Sequence, residues 1–400
     1  MKRVLVVPLV AVLVLALGGC NWLKSLGKKD NVEPPTPLTE IVPTVAVTPL
    51  WTAGGSGGAG DSGARIAPGT GDGRVYAAGA DGTVEALDAA SGNTIWSRHL
   101  GTRHGWLWRR GENSRRWAGG PAVAGDLLVV GGLDGHVLAM STVDGKDLWQ
   151  ATVSSEVIVP PVIVGGLVVV RSFDGRLTAL DSATGDHKWI FDQPVPALSL
   201  RGDSAPVSSL GAVFDGFDNG KIFAVRLDDG NALWSQTLSS GEGRTEVERL
   251  SDVDGKLVID GSDLIAVGYH GQLASFALVS GQPQWQRDLS AYGGAAVDGN
   301  VVVVADADGN VWGFDRATGA NLWKQDALKY RWLTTPAVVG HFAVVGDVEG
   351  YVHWIDTGEG KIAARERLSS KPIEATPVVS GDTVYVEDVK GRIGAYRTGS

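Results

Sequence analysis

The chain of 400 residues has one cysteine, Cys20, and lacks an apolar run long enough to cross a bilayer. A single cysteine excludes intramolecular disulfides and metal sites built from several thiolates. The longest apolar stretch, residues 4–17, has fourteen residues, whereas a membrane-spanning helix needs ~20. The formal net charge of −10 argues against a nucleic-acid partner. The seven histidines lack the spacing of a zinc site.

The N-terminus has the features of a lipoprotein signal. Lys2 and Arg3 precede the apolar run, which is typical of a secretory signal peptide over residues 1–19. The residues Leu17-Gly-Gly-Cys20 resemble the lipobox of bacterial lipoproteins, which implies that Cys20 is lipidated and begins the mature chain. The next residue, Asn21, resembles the sorting signal for the Gram-negative outer membrane, periplasmic face. Residues 20–45 are polar and contain four prolines, so a flexible tether is expected.

Residues 46–400 contain eight copies of one unit, and the best-preserved copy runs from Asp174-Gly175 through Thr184-Gly185 to Trp189. The units begin at Asp81, Asp134, Asp174, Asn219, His270, Asp308, Glu349 and Lys390, each followed by glycine. Asp-Gly between alternating apolar runs predicts a hairpin with a type I′ turn. A second glycine ten residues after the first marks the next turn in all but the last unit. In four units an aspartate four residues before it is expected to accept turn amide hydrogens.

The strand pattern predicts an all-β fold, an eight-bladed β-propeller of four-stranded antiparallel blades. A tryptophan, predicted to fill the space between blades, follows the second glycine by four residues in six units: Trp96, Trp149, Trp189, Trp234, Trp285 and Trp323. Ala364 takes this place in the seventh unit. The chain ends before an eighth outer strand, so the segment around Trp51 is expected to supply it and close the ring.

Motifs for catalysis or cofactor binding have no supporting context. The glycine-rich segment 54–60 matches a nucleophile-elbow and a dinucleotide pattern, but neither lies between a strand and a helix. Residues 306–310 match part of a calcium loop without its distal glutamate. The sequence therefore predicts no catalytic, cofactor-binding or metal-binding residues.

The inter-blade connections are where function is expected. Residues 103–117 form a basic and aromatic loop whose role stays open between contact with lipid or protein and a purely structural one. Two other connections are expected on one face, one blade apart. The first offers Leu198, Leu200 and Arg201, and the second offers Asp252 and Asp254. These residues form either a protein-docking patch or an internal ion pair over buried leucines, and the residues alone leave both open.

The repeat Ala-x-Asp-x-x-Thr-Gly-x-x-x-Trp resembles quinoprotein-type propeller repeats. The loop sequences of residues 198–206 and 246–254 are similar to those of the BamB family, propeller lipoproteins of the outer-membrane β-barrel assembly (BAM) machinery. The resemblance covers the lipobox, all eight blades and both loops. It implies a non-enzymatic scaffold that helps insert β-barrel proteins by docking on the POTRA domains of BamA. The family's contact positions correspond to Leu198, Leu200, Arg201, Asp252 and Asp254, and nascent β-barrel proteins are a further expected partner.

Two rival functions remain at this point. Quinone-dependent dehydrogenases share the repeat, but the resemblance implies a pair of adjacent cysteines, a calcium site and a larger chain, and this sequence has one cysteine. A propeller lipoprotein that binds a glycan or peptide in its central channel stays open.

Overall fold

Thirty-two β-strands and no helix make up the part of the chain that the structure describes. The structure is a computed structural model, and the residues it describes are 33–54, 57–60, 62–100, 116–196, 204–239, 253, 255–269 and 271–399. It divides into two units, residues 1–35 and 36–400, and all strands lie in the second.

The strands form eight four-stranded antiparallel sheets, numbered here as blades 1–8 by their first strands. Blades 1 and 2 contain β2 (Gly69–Gly71), β3 (Arg74–Ala78), β4 (Thr83–Asp88), β5 (Thr94–His99), and β6 (Trp117–Ala124), β7 (Leu127–Gly132), β8 (His136–Ser141), β9 (Asp147–Thr152). Blades 3 and 4 contain β10 (Val162–Val164), β11 (Leu167–Ser172), β12 (Arg176–Asp181), β13 (His187–Asp192), and β14 (Val207–Ser209), β15 (Ala212–Gly216), β16 (Lys221–Arg226), β17 (Ala232–Thr237).

The remaining blades follow the same order, except that the last one takes its outer strand from the N-terminal side of the chain. Blades 5 and 6 contain β18 (Val258–Asp260), β19 (Asp263–Val267), β20 (Gln272–Ala277), β21 (Pro283–Asp288), and β22 (Ala295–Asp298), β23 (Val301–Ala305), β24 (Val311–Asp315), β25 (Asn321–Gln325). Blades 7 and 8 contain β26 (Ala337–Val339), β27 (Phe342–Gly346), β28 (Tyr351–Asp356), β29 (Ile362–Arg367), and β30 (Val378–Ser380), β31 (Thr383–Glu387), β32 (Arg392–Thr398), β1 (Val47–Gly54).

The ring closes as the sequence predicts. β1 pairs antiparallel with β32, from Val47 opposite Thr398 to Gly54 opposite Arg392. The innermost strands contact one another around the circle, including β30 of blade 8 with β2 of blade 1. The eight-bladed propeller, with its last blade completed by the N-terminal strand, is therefore confirmed.

The hairpin turns at the repeat glycines are not the type I′ turns expected from Asp-Gly. In blade 1 the amide of Gly82 donates to the carbonyl of Gly79 at 2.9 Å, so the central turn residues are Ala80 and Asp81. Gly82 has a φ of 92°, whereas Asp81 is not among the residues with positive φ. The turn is of type I with a left-handed glycine after it, a geometry that also matches the strand twist.

In blades 1–7 the second turn of the unit joins the blade to the preceding one through a tryptophan and a glycine. Trp149 of blade 2 donates its Nε1 hydrogen to the carbonyl of Ser182 in blade 3 at 2.8 Å. A Cβ added to Gly185 of blade 3 would lie 2.6 Å from the same indole ring. The predicted aspartate contact is also present, since Asp181 Oδ1 accepts the amide of Thr184 at 3.1 Å. The predicted packing of these tryptophans between blades is confirmed.

Ala364 replaces a tryptophan because its neighbour has no such turn. In blade 8 the third strand is β32, which ends at Thr398, and the outer strand is β1 from the other end of the propeller sequence. No glycine turn therefore joins these two strands and receives an indole. Trp354, opposite Ala364 on β28, fills the space and donates to the Thr398 hydroxyl at 2.9 Å.

Among the described residues, eight of the nine apolar clusters lie one between each pair of neighbouring blades and form most of the core. Between blades 2 and 3, for example, Val129, Val168 and Leu180 are fully buried against Trp149. Between blades 8 and 1, Val75 and Ile393 are equally buried. Burial of apolar surface between blades thus holds the ring together.

Candidate functional site

The strand ends that border the long connections predicted to carry function lie on one face of the ring. Strands alternate in direction within each blade, so the turns between second and third strands share a face with the connections between blades. This face is called the lower face, and the other the upper face. The connection between β13 and β14 and the connection between β17 and β18 both belong to the lower face and flank blade 4.

The predicted site residues fall outside the described residues. These are Leu198, Leu200, Arg201, Asp252 and Asp254, together with the lipidation residue Cys20 and residues 103–115 of the basic loop. The docking patch and the anchor therefore stay predictions, and the structure places the segments that border them.

The C-terminal ends of the two loops are joined by a hydrogen bond. Ser204, three residues after Arg201 in the chain, is buried and donates its hydroxyl hydrogen to the carbonyl of Gly255 at 3.3 Å. Val253, which lies between Asp252 and Asp254 in the sequence, is fully buried between blades 4 and 5. Both loops are thus fixed to the propeller next to their predicted contact residues.

A buried charge cluster lies at the lower ends of blades 3 and 4, from which the first loop departs and to which it returns. Arg171 Nη2 lies 3.3 Å from Asp218 Oδ1, and Arg171 Nε lies 3.9 Å from Asp215 Oδ2. The guanidinium carbon also stacks 4.2 Å from the centroid of the Phe217 ring. Burial raises the pKa of Asp218, and the nearby Arg171 charge opposes that change. Such a paired cluster tolerates little rearrangement.

The second loop ends beside the central channel. A Cβ on Gly255 would lie 2.7 Å from the carbonyl of Gly293, and one on Gly294 would lie 2.4 Å from the carbonyl of Lys256. The side chain of Lys256 reaches solvent, but the surrounding protein lowers its pKa through desolvation. The connections into blades 5 and 6 therefore pack directly on each other.

Sequence reasoning missed a stack of three aromatic rings on the lower face, formed by Tyr269, Tyr292 and Trp332 and called here the aromatic stack. The centroids of Tyr269 and Tyr292 are 4.7 Å apart, and those of Tyr292 and Trp332 are 6.4 Å apart. The interplanar angles are 20° and 15°. Two aromatic residues, Tyr330 and Trp332, in a connection without glycine were the available sequence signal.

The segment that presents Trp332 is held by two ion pairs of the buried Arg331, one with a buried and one with an exposed carboxylate. Arg331 is 1% exposed, and its Nε and Nη2 lie 2.7 Å from Asp347 Oδ2 and 2.5 Å from Glu349 Oε2. Its neighbours Tyr330 and Trp332 have φ values of 60° and 52°, which non-glycine residues rarely adopt. The ion pairs keep this strained backbone in place, as is common at binding sites.

Part of the segment expected to be a tether lies against the propeller. The amide of Thr36 donates to the carbonyl of Lys329 at 3.1 Å, and Arg331 Nη1 donates to the carbonyl of Thr36 at 2.8 Å. Further along, the amide of Thr44 donates to Ala363 of β29 at 2.8 Å. The domain boundaries stay a prediction, but within them residues 36–45 follow blade 7 instead of extending away from it.

Two searches confined to the described parts of the chain were negative. No group of three or more histidine, cysteine, aspartate or glutamate side chains there is arranged to hold a metal ion. No helix among those residues is long and apolar enough to span a membrane.

Comparison with known proteins gives the family. The family model described as "Outer membrane protein assembly factor BamB" matches residues 48–105, 80–325 and 314–400. The chain is 43% identical over 341 residues to the outer membrane protein assembly factor BamB of Xanthomonas campestris pv. campestris, covering 83% of this chain and 82% of the relative. The crystal structure of BamB from Moraxella catarrhalis superposes with a TM-score of 0.79 at 24% identity, covering 88% of this chain and 100% of that chain.

A quinohemoprotein alcohol dehydrogenase from Comamonas testosteroni shares the fold at a TM-score of 0.67 and 13% identity, covering 88% of this chain and 76% of that chain. At that identity the likeness concerns the propeller architecture alone. The family model and the relative at 43% identity extend over most of the chain, in keeping with the resemblance of its loops. The chain belongs to the family of the outer membrane protein assembly factor BamB.

Proposed function

We propose that this chain is a non-enzymatic, lipid-anchored scaffold of the outer-membrane β-barrel assembly machinery. In this proposal Cys20 carries the lipid at the periplasmic face of the outer membrane. Leu198, Leu200, Arg201, Asp252 and Asp254 dock on the POTRA domains of BamA, so that the propeller assists folding and insertion of β-barrel proteins.

The observation that carries the proposal is the hydrogen bond between Ser204 and Gly255. It ties the loop that contains the two leucines and the arginine to the loop that contains the two aspartates. Val253, between the two predicted contact aspartates in the sequence, is buried between blades 4 and 5. Loop ends that are fixed in this way limit the conformational entropy lost on binding, which favours a specific protein interface.

The test is a pull-down of the mature chain with the periplasmic domains of BamA from the same organism. The variant Leu200→Asp/Arg201→Glu is expected to weaken binding by about 100-fold or more, because it replaces an apolar anchor and reverses a charge. Leu210→Asp/Arg226→Glu is the matched control, since both residues are exposed on the upper face of the same blade. Equal binding by the two variants would reject the assigned residues.

A further inference from the structure

We propose that the aromatic stack binds extended, aromatic-bearing segments of unfolded outer-membrane β-barrel proteins, with Trp332 as the anchor. The inference rests on the proposed function, which supplies such clients, but concerns a different set of residues. The stack lies around blades 5 to 7, whereas the docking loops flank blade 4.

Trp332 has the properties of a preorganised binding residue. Its side chain is 57% exposed, and it is the one aromatic residue among the large exposed apolar residues of the described chain. The Tyr292 ring supports the indole on one side, and Arg331 fixes the backbone through Asp347 and Glu349. Because the indole is already held in place, binding costs little side-chain entropy, and tryptophan is enriched at interface hot spots.

The size of the stack favours an extended chain over a folded partner. Its two centroid separations, 4.7 Å and 6.4 Å, give a row of about 11 Å. A folded partner of ordinary affinity covers roughly 800 Å² on each side, far more than three rings offer. In an extended chain, side chains on one face repeat every ~7 Å, so the row matches two of them.

The chemistry of the clients fits the same surface. Strands of outer-membrane barrels alternate apolar and polar residues and carry aromatic girdles at both membrane interfaces. Before folding, those aromatic side chains lack partners and can pack on an exposed indole. The rim of the stack is polar: Arg65 Nη1 donates to the carbonyl of Tyr292 at 3.0 Å, and Asp308 is close enough for its charge to act on both Tyr292 and Lys329.

The stack adjoins the docking loops without being part of them. The second loop ends at Gly255 and Lys256, which pack on Gly293 and Gly294, directly after Tyr292. A client on the stack would therefore lie beside a partner held by the loops. Binding of the two is expected to be separable by mutation.

Photo-crosslinking in living cells tests the inference on the full lipoprotein. A photoreactive residue replaces Lys329, and the probe is an epitope-tagged β-barrel protein of the same organism, followed by pulse and chase. Adducts with the tagged protein are expected early in the chase and lost once it has folded. Trp332→Ala is expected to reduce them about tenfold, the effect of losing one hot-spot side chain.

The controls distinguish loss of the Trp332 anchor from loss of the fold and from loss of docking on BamA. Leu322→Ala, at a leucine 51% exposed on the outer strand of blade 6, is expected to leave the adducts unchanged. Trp332→Phe is expected to retain most of them. Adducts with BamA alone, equal client adducts in Trp332→Ala, or loss of BamA co-purification in that variant would each overturn the inference. Failure of the docking proposal would appear separately, as unchanged BamA co-purification in the Leu200→Asp/Arg201→Glu variant.

Discussion

Two buried ionisable side chains of this propeller, Arg331 and Glu387, differ in whether a partner compensates their charge. Arg331 is enclosed by two carboxylates, whereas Glu387 is 2% exposed and neither of its carboxylate oxygens has a hydrogen-bond partner within the described structure. Glu387 lies on β31 in blade 8, close to Asp388 and to Glu85 of blade 1. Burial, followed by the charges of Asp388 and Glu85, raises the pKa of Glu387 well above its ordinary value of 4.5.

Glu387→Gln is expected to stabilise the protein at alkaline pH. A raised pKa in the folded state means that the protonated carboxyl contributes stability below pH 4.5, and that this contribution is lost as pH rises through the folded pKa. Glutamine keeps the neutral form at every pH. In urea unfolding at pH 5 and pH 8, the variant is expected to have a higher unfolding midpoint than the parent chiefly at pH 8. The exposed Glu374→Gln serves as control, and a variant that is less stable at both pH values would contradict the prediction.

At the scale of the element, the contact between a tryptophan and the next blade's glycine is the repeated joint of the ring. Seven indoles donate to a backbone carbonyl of the following blade, from Trp51 to Ala89 at 2.9 Å around to Trp323 to Thr357 at 2.7 Å. The glycine that receives each indole needs a positive φ and must also lack a Cβ. Two requirements therefore meet at one position of the repeat.

Two glycines of blade 3 separate these requirements. Gly166→Ala meets only the backbone cost, since its φ is 78° and nothing lies within 4 Å of a new Cβ. The free energy of unfolding is expected to fall by about 1–2 kcal/mol. At Gly185 the φ is 79°, and the new Cβ of Gly185→Ala would also clash with the Trp149 ring. The free energy of unfolding is expected to fall by about 1–3 kcal/mol more. Urea-unfolding midpoints check this, and equal effects would show that the indole contact adds nothing.

The whole molecule is a closed ring whose N-terminal segment both completes blade 8 and follows blade 7. β1 leaves no open edge on β32, and residues 36–45 cover part of β29 through the bond from Thr44 to Ala363.

Cys20→Ala is expected to abolish retention of the protein in the outer membrane. Acyl chains contribute ~0.8 kcal/mol per buried methylene, and the variant lacks the thiol that would carry them. Membrane fractionation after a high-salt wash is the measurement, with thermal unfolding as a check that the ring is intact. Continued outer-membrane association of the variant would argue against the lipid anchor.

The repeat alone determined much of the architecture. Glycine and tryptophan spacing predicted eight blades, the tryptophans between them and the closing strand at Trp51, because each is set by local turn chemistry and by a period repeated along the chain. The family followed from the loop sequences at 198–206 and 246–254. These features need no knowledge of which distant residues meet.

Only the tertiary structure decided the rest. The turn at Gly82 depends on backbone angles that Asp-Gly leaves open, and Ala364 is explained only by the missing turn in blade 8. Tyr269 lies in a hairpin turn of blade 5, whereas Tyr292 and Trp332 lie in connections between blades that do not follow the repeat, so no local pattern predicts their contact. Ring closure brings Glu85 beside Glu387. A periodic pattern specifies each blade, but contacts between connections arise from the packing of blades around the ring.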